Sequence, residues 1–187
     1  MPKRPNIPGK TGKTLPRIAE MLRVDHAGEY GAVAIYRGQQ AVFARNSKTR
    51  NIAEQLGEME AEEQQHLDAF DKLLIEENVR PTVLGPVWNV AGYGIGVMTA
   101  LLGEKAAHAC TEAVETVIEQ HYADQIEELE ESDRQDLRAT FIQFREDELH
   151  HREIAVEEGA KNALGYPILS SLIKTGCKLA IRISEKL

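Results

Sequence analysis

Apolar residues recur along this chain at spacings of three and four, a pattern that predicts helices almost throughout. A first helix is predicted from Leu15 to Arg45, with Ile18, Leu22, Asp25, Glu29, Ala32, Tyr36, Gln40 and Phe43 along one face. A second runs from Ser47, a suitable N-cap, to Asn78, on Ile52, Leu56, Met59, Glu63, His66, Phe70 and Leu73. After an uncharged run over 83–103, a further helix is predicted from Glu104 to Glu131, on His108, Thr111, Glu115, Ile118, Tyr122, Ile126 and Leu129. Another follows from Ser132 to Lys161, on Leu137, Phe141, Phe144, Glu148, His151 and Ala155. An amphipathic stretch, 164–187, closes the chain.

Four carboxylates and two imidazoles break these apolar faces. Glu63-Gln-Gln-His66 and Glu148-Leu-His-His151 are both Glu-x-x-His, which puts the two side chains on one helical face. Glu29 lies 34 residues before Glu63, and Glu115 lies 33 before Glu148. Glu62 is rotated about 100° from Glu63 and falls off the face. Asp147 and His150 likewise point away from Glu148 and are expected in solvent. Burying six such groups without compensation would cost several kcal/mol each. A buried Glu–His network accounts for one such pair but not for a matched repeat of two. One Glu from each of two helices, with a Glu-x-x-His from each of the other two, is the ligand set of a four-helix di-metal bundle. The candidate ligands are therefore Glu29, Glu63, His66, Glu115, Glu148 and His151.

The two halves match further. Tyr36 lies seven residues after Glu29, and Tyr122 seven after Glu115. Two helical turns is roughly 10 Å, too far to share an ion with those carboxylates. Tyr122, like Tyr36, is a candidate hydrogen-bonding partner of the ligands, with paired core tyrosines as the plainer reading. Asp25, His26, Glu112, Glu119 and His121 are candidates to orient a ligating histidine through its second ring nitrogen. Gly28 and Gly31 flank Glu29, either for close helix approach or for room beside the metals.

Composition narrows the class. A formal charge of −8 argues against nucleic acid as a partner. No Gly-x-Gly-x-x-Gly fingerprint is present, so no built-in dinucleotide site is expected. Cys110 and Cys177 give neither a disulfide framework nor a zinc spacing, and read as core or interface thiols. Residues 1–14 are basic and rich in Pro and Gly, a disordered arm; a transit peptide is not expected there.

Two segments exceed what a plain bundle needs. The run 83–103 has the length of a membrane span, but Pro86, Asn89 and five glycines weaken it. It reads as a short helix dipping into one leaflet, with Trp88 and Tyr93 at the interface, or as a core crossover. In 164–187, Lys174, Lys178 and Arg182 form a basic stripe beside Ile168, Leu172, Ile173, Leu179 and Ile183. That pattern suits a helix lying on an anionic bilayer, or one packed on the bundle. The expectation is an all-α, ferritin-like four-helix bundle over 15–187 in which these two helices form a membrane-facing surface.

Several stretches carry a family resemblance. They are Val24-Asp-His-Ala-Gly-Glu-Tyr-Gly-Ala32, Arg80-Pro-Thr-Val-Leu84, Pro86-Val-Trp-Asn-Val90, Thr99-Ala-Leu-Leu-Gly103, Ala109-Cys-Thr111, His121-Tyr122 and Ser184-Glu-Lys-Leu187. With the two Glu-x-x-His turns they resemble the demethoxyubiquinone hydroxylases of ubiquinone biosynthesis over about 15–187. The resemblance implies two iron ions held by Glu29, Glu63, His66, Glu115, Glu148 and His151, with Glu63 and Glu148 bridging. Carboxylates with two imidazoles suit iron. It implies O2 and a two-electron donor, NADH or a reductase, as co-substrates. Its implied substrate is a 2-polyprenyl-3-methyl-6-methoxy-1,4-benzoquinol, hydroxylated at the one unsubstituted ring carbon. Other implied partners are the membrane surface, an electron donor and further ubiquinone-biosynthesis proteins; a homodimer stays open. The implied location is peripheral, on the cytoplasmic face of a bacterial cell membrane or the matrix face of the mitochondrial inner membrane. The rival readings are an iron-handling protein of the ferritin or rubrerythrin type and a non-catalytic quinone-binding scaffold.

Overall fold

Helices carry almost all of residues 15–186, which the computed structural model describes, and no strand occurs among them. α1 spans Pro16–Phe43, α2 Arg50–Glu76, α3 Gly85–Leu101, α4 Glu104–Glu128, α5 Gln135–Glu157 and α6 Tyr166–Ser184. Short 3-10 turns over Ser47–Thr49 and Ala160–Asn162 precede α2 and α6. The basic arm expected over 1–14 lies outside the described residues.

Local chemistry sets the ends. A proline in the first turn opens α1, α3 and α6, where its missing N–H removes no helical bond. Only Leu102 and Gly103 separate α3 from α4; the φ of 111° at Gly103 is open to glycine and strained for other residues. Ser47 is not the N-cap expected of it. The Asn46 side chain instead accepts from the Lys48 N–H at 3.0 Å, the local turn that asparagine favours.

The four long helices form a ferritin-like bundle, α1 packed on α2 and α4 on α5, with α3 against α1 and α6 against α4. Two apolar layers enclose a polar middle. Ile18, Leu22, Phe70, Tyr122, Phe141 and Phe144 fill one end. Tyr36, Phe43, Ile52, Leu56, Met59 and Ala107 fill the other. Truncating a fully buried Phe141 or Phe70 would cost about 3–5 kcal/mol. The predicted faces drift at their ends. Gln39 rather than Gln40, and Leu74 rather than Leu73, are the buried residues. A straight helix of 3.6 residues per turn slides off an alternating 3–4 spacing over such lengths.

The glycines of α3 have a packing reason. A Cβ at Gly96 would collide with the Ile35 carbonyl oxygen of α1, and one at Gly92 would stand 2.7 Å from that of Gly31. The α3 backbone therefore lies directly on α1. Its other side presents Val87, Val90, Met98 and Leu101 outward. On α6, Ile168, Leu172 and Leu179 are exposed. The basic stripe is incomplete, because Lys174 turns inward and pairs with Glu112 of α4 at 3.1 Å. Lys178 and Arg182 stay exposed. Cys110 and Cys177, distant in sequence, share one small apolar cluster between α4 and α6 as free thiols. No helix among the described residues is long and apolar enough to cross a membrane.

Candidate metal centre

The polar middle holds all six predicted ligands, each at most 3% exposed. Glu29 comes from α1, Glu63 and His66 from α2, Glu115 from α4, and Glu148 and His151 from α5. They fall into two groups, Glu29–Glu63–His66–Glu148 and Glu63–Glu115–Glu148–His151, each with donor atoms within 4.8 Å of one another. Glu63 and Glu148 belong to both. Each group has the size and donors to hold one cation, and the shared carboxylates stand where a bridge would.

The two imidazoles are presented in the same way. His66 Nδ1 lies 3.6 Å from Glu29 Oε2 and 3.5 Å from Glu148 Oε1. His151 Nδ1 lies 3.1 Å from Glu63 Oε1 and 3.8 Å from Glu148 Oε2. Each Nε2 points outward to a carboxylate on the opposite helix. His151 Nε2 is 2.7 Å from Glu62 Oε2, and His66 Nε2 is 3.1 Å from Asp147 Oδ2. Such a partner fixes the ring and leaves Nδ1 free for a metal. The Phe144 ring stacks on His66 at 4.1 Å between centroids.

Glu62 and Asp147 correct the sequence reading, which put Glu62 off the apolar face and Asp147 in solvent and gave neither a role. They are partly exposed, yet their carboxylates reach across to the other helix. The signal was present as an acid directly before each Glu-x-x-His. The five residues proposed for this task do other work. His26 meets Asp71 at 3.1 Å. Glu119 binds Arg145 at 2.6 Å and Arg152 at 3.4 Å. Glu112 accepts from Tyr166, Ser170 and Lys174 of α6. Asp25 and His121 pair with each other at 3.3 Å, beside Gln125.

The tyrosines cross in the same twofold manner. The Tyr36 hydroxyl donates to Glu115 Oε1 at 2.7 Å, and that of Tyr122 to Glu29 Oε1. Each therefore serves the carboxylate of the other half.

Burial, with the charge of Glu148 beside it, pushes Glu63 far above the usual carboxylate range, and Glu115 rises for the same reasons. Burial also pushes Glu148 up, but His151 and His66 outweigh it and hold the carboxyl at about 2. Burial lowers the histidines, and the surrounding carboxylates more than reverse this, to about 11 for His66 and about 12 for His151. Glu29 Oε2, Glu63 Oε2, His66 Nδ1, Glu115 Oε2 and both Glu148 oxygens are buried without a hydrogen-bond partner. Orphaned acceptors facing one another around a common centre fit divalent cations, which take oxygen and imidazole ligands together.

A groove of about 530 Å³ opens beside this centre. α3 and α6 form its sides, and α1 and α4 its floor, through Gly28, Gly31, Val114 and Ile118. Gly28 and Val114 directly precede the candidate ligands Glu29 and Glu115. A Cβ at Gly28 or Gly31 would meet nothing within 4 Å, so these glycines leave room rather than permit close packing of their own side. The Trp88 indole N–H donates to Ser184 Oγ at 2.9 Å, tying the start of α3 to the end of α6.

Comparison with known proteins shows the family. The family model for ubiquinone biosynthesis protein COQ7 matches residues 16–184. The chain belongs to the COQ7 family. A 3-demethoxyubiquinol 3-hydroxylase of Rhodospirillum rubrum is 51% identical over 169 residues, covering 90% of this chain and 78% of that protein. A human protein named NADPH-dependent 3-demethoxyubiquinone 3-hydroxylase, mitochondrial, is 43% identical over 185 residues, covering 95% and 83%. The yeast 5-demethoxyubiquinone hydroxylase, also mitochondrial, is 36% identical over 201 residues, covering 100% and 84%. The COQ7 match spans all six helices, and so takes in the Glu/His centre and the groove together.

Proposed function

We propose that this chain is a di-iron monooxygenase that hydroxylates demethoxyubiquinol, a 2-polyprenyl-3-methyl-6-methoxy-1,4-benzoquinol, at its one unsubstituted ring carbon. The observation that carries the proposal is an apolar groove lined by Gly28 and Val114, the residues directly before Glu29 and Glu115 of the two buried Glu/His groups. An iron-storing or iron-oxidising protein has no use for such a groove. The COQ7 relatives named as hydroxylases of this quinone support the same reading.

Glu29, Glu63, His66 and Glu148 would hold one iron, and Glu63, Glu115, Glu148 and His151 the other. Bound iron supplies the activation of O2. One ring C–H bond is broken and a C–O bond forms. The second oxygen atom takes two protons and two electrons and leaves as water. The electrons would come from a reduced nicotinamide, by transient contact or through the quinone, a reading supported by relatives named NADPH-dependent. The chain's own residues set the geometry. Glu62 and Asp147 hold the histidines, and Tyr36 and Tyr122 hold one oxygen each of Glu115 and Glu29. Gly28 and Gly31 let the quinol ring approach the α1 wall, while Ile35, Ile118 and Ile173 exclude water around it.

The polyprenyl tail would leave between α3 and α6, whose exposed Val90, Met98, Leu172 and Leu179 would lie in one leaflet, with Lys178 and Arg182 at anionic headgroups. Residues 15–186 would then act as a single di-iron unit peripheral to a bacterial cell membrane or the mitochondrial inner membrane. Turnover of the iron-loaded chain with a short-tailed demethoxyubiquinol, reduced nicotinamide and 18O2 tests this. One 18O atom per product ring is expected. Iron oxidation without hydroxylated product would favour the ferritin-like alternative.

A further inference from the structure

Seven residues before Glu115 on α4 lies another buried imidazole, too far along the helix to reach the same ion. His108 is 2% exposed, and its Nδ1 has no hydrogen-bond partner among the described residues. Thr111 is equally buried, with an unpartnered hydroxyl. Gln39 of α1 is fully buried; its Nε2 donates to the Ala107 carbonyl at 3.2 Å, while its Oε1 has no partner. Glu115 Oε2 is the fourth orphan. His108, Thr111 and Glu115 share one face of α4 at i, i+3 and i+7, spaced by about 4.5 and 6 Å along the axis. Gln39 follows Tyr36, which holds Glu115 from α1, by one turn. Four unpartnered polar groups thus collect on the α1–α4 seam, between the metal centre and the end of the bundle where α4 begins.

An apolar seam would be more stable, since each unpartnered buried group costs about 1–3 kcal/mol. Water bonded to two to four such groups at once would satisfy them. The outer end of the seam is near solvent. The Glu158 carboxylate at the exposed end of α5 acts on the His108 ring, although burial dominates and keeps that imidazole below its ordinary pKa. None of His108, Thr111 and Gln39 lines the groove, so the seam reaches the centre from a separate direction.

We infer that His108, Gln39 and Thr111 hold a file of water running from the surface near Glu158 to Glu115, and that this file carries protons to the metal centre during turnover. The second half of the inference rests on the hydroxylase reading. Reduction of the second oxygen atom to water consumes two protons, with electrons from the nicotinamide donor. The apolar groove supplies no protons. A neutral imidazole accepts a proton on one nitrogen and releases one from the other, returning to its starting charge. His108 passes each proton inward in this way, and water held by Gln39 and Thr111 hands it to the Glu115 side of the centre.

Two measurements test the inference. In [15N]histidine-labelled chain, metal-free and zinc-loaded, the His108 ring N–H is identified by its loss in His108→Gln. A wet file requires that proton to exchange with water within seconds, while the His108 backbone amide is protected for far longer. A sharp ring proton persisting for minutes means a dry seam and overturns the file, whatever the enzyme does. In iron-loaded chain, His108→Leu should lower kcat about tenfold or more, with KM for the quinol within about twofold and a larger solvent deuterium isotope effect. His108→Gln, which still holds water but has no nitrogen that can take up and release a proton, should recover only a minor part of the rate. Unchanged kcat in a folded, iron-replete His108→Leu overturns the proton role and moves it to the Asp25–His121 pair at the other end. If His108→Leu does not fold, Thr111→Val decides the same question in the same way. Failure of the hydroxylase reading is separately visible, as absence of turnover in the unsubstituted chain.

Discussion

His151 Nε2 lies 2.7 Å from Glu62 Oε2 on the opposite helix. The same relation, turned by the pseudo-twofold of the bundle, joins His66 to Asp147. Each carboxylate holds an imidazole with Nδ1 turned inward. Glu62→Gln and Asp147→Asn should therefore weaken metal binding about 10–100-fold. Each should act on one ion more than the other, Glu62→Gln on the ion beside Glu115 and Asp147→Asn on the ion beside Glu29. Competition with a chelator of known affinity measures this. Equal, negligible effects would make the two contacts incidental surface pairs.

The tyrosines give a second asymmetry, between the metal-free and loaded states. Removing a hydroxyl by Tyr36→Phe leaves Glu115 Oε1 buried and unpartnered, at about 1–3 kcal/mol. A cation at Glu115 compensates part of that. Thermal unfolding should thus show a larger loss of stability without metal than with it. An equal loss in both states would place the Glu115 carboxylate outside metal ligation.

Much of this was legible in the sequence, and the failures share a cause. The six inward Glu and His residues stand out because an apolar face cannot carry them without reason. Glu62 and Asp147 do not stand out, because one helix, taken alone, turns them away from its apolar face; only the facing of α2 and α5 gives them a partner. Lys174 misled in the same way. It belongs to the basic stripe of α6 by spacing, yet Glu112 on α4 draws it inward. The α3 glycines weaken a helix taken alone; their reason is the α1 backbone packed against Gly92 and Gly96.

Glycine substitutions separate stability from function. Gly28 faces open space beside Glu29. Gly28→Leu should leave the melting temperature unchanged or raise it, since glycine is about 1 kcal/mol poorer in a helix. It should still lower hydroxylation at least about tenfold, by displacing the ring from its place beside the metals. Gly96→Ala should do the reverse, losing about 1–3 kcal/mol through collision with α1. Normal turnover in a folded Gly28→Leu chain would place the substrate elsewhere.

The α6 latch has a pH signature. Glu112 accepts from Lys174, Tyr166 and Thr116; burial would raise its carboxyl, but these contacts outweigh it and hold the group below the usual range. A depressed folded pKa contributes stability that is present above about pH 4.5 and lost as pH falls through the folded value. Trp88, the only tryptophan, is bonded to Ser184 of α6 and reports the docking of that helix. Its fluorescence should change below about pH 4.5. Glu112→Gln should weaken docking by about 1–2 kcal/mol at pH 7 and flatten the acid transition. An unaltered transition would assign it to other carboxylates.

On the function proposed above, two irons would share Glu63 and Glu148 in one buried site. The most direct measurement is iron per chain together with a Mössbauer spectrum of the oxidised protein. Two irons per chain, magnetically coupled, are expected, with coupling lost in Glu148→Ala. One uncoupled iron per chain, or a single zinc, would contradict the account.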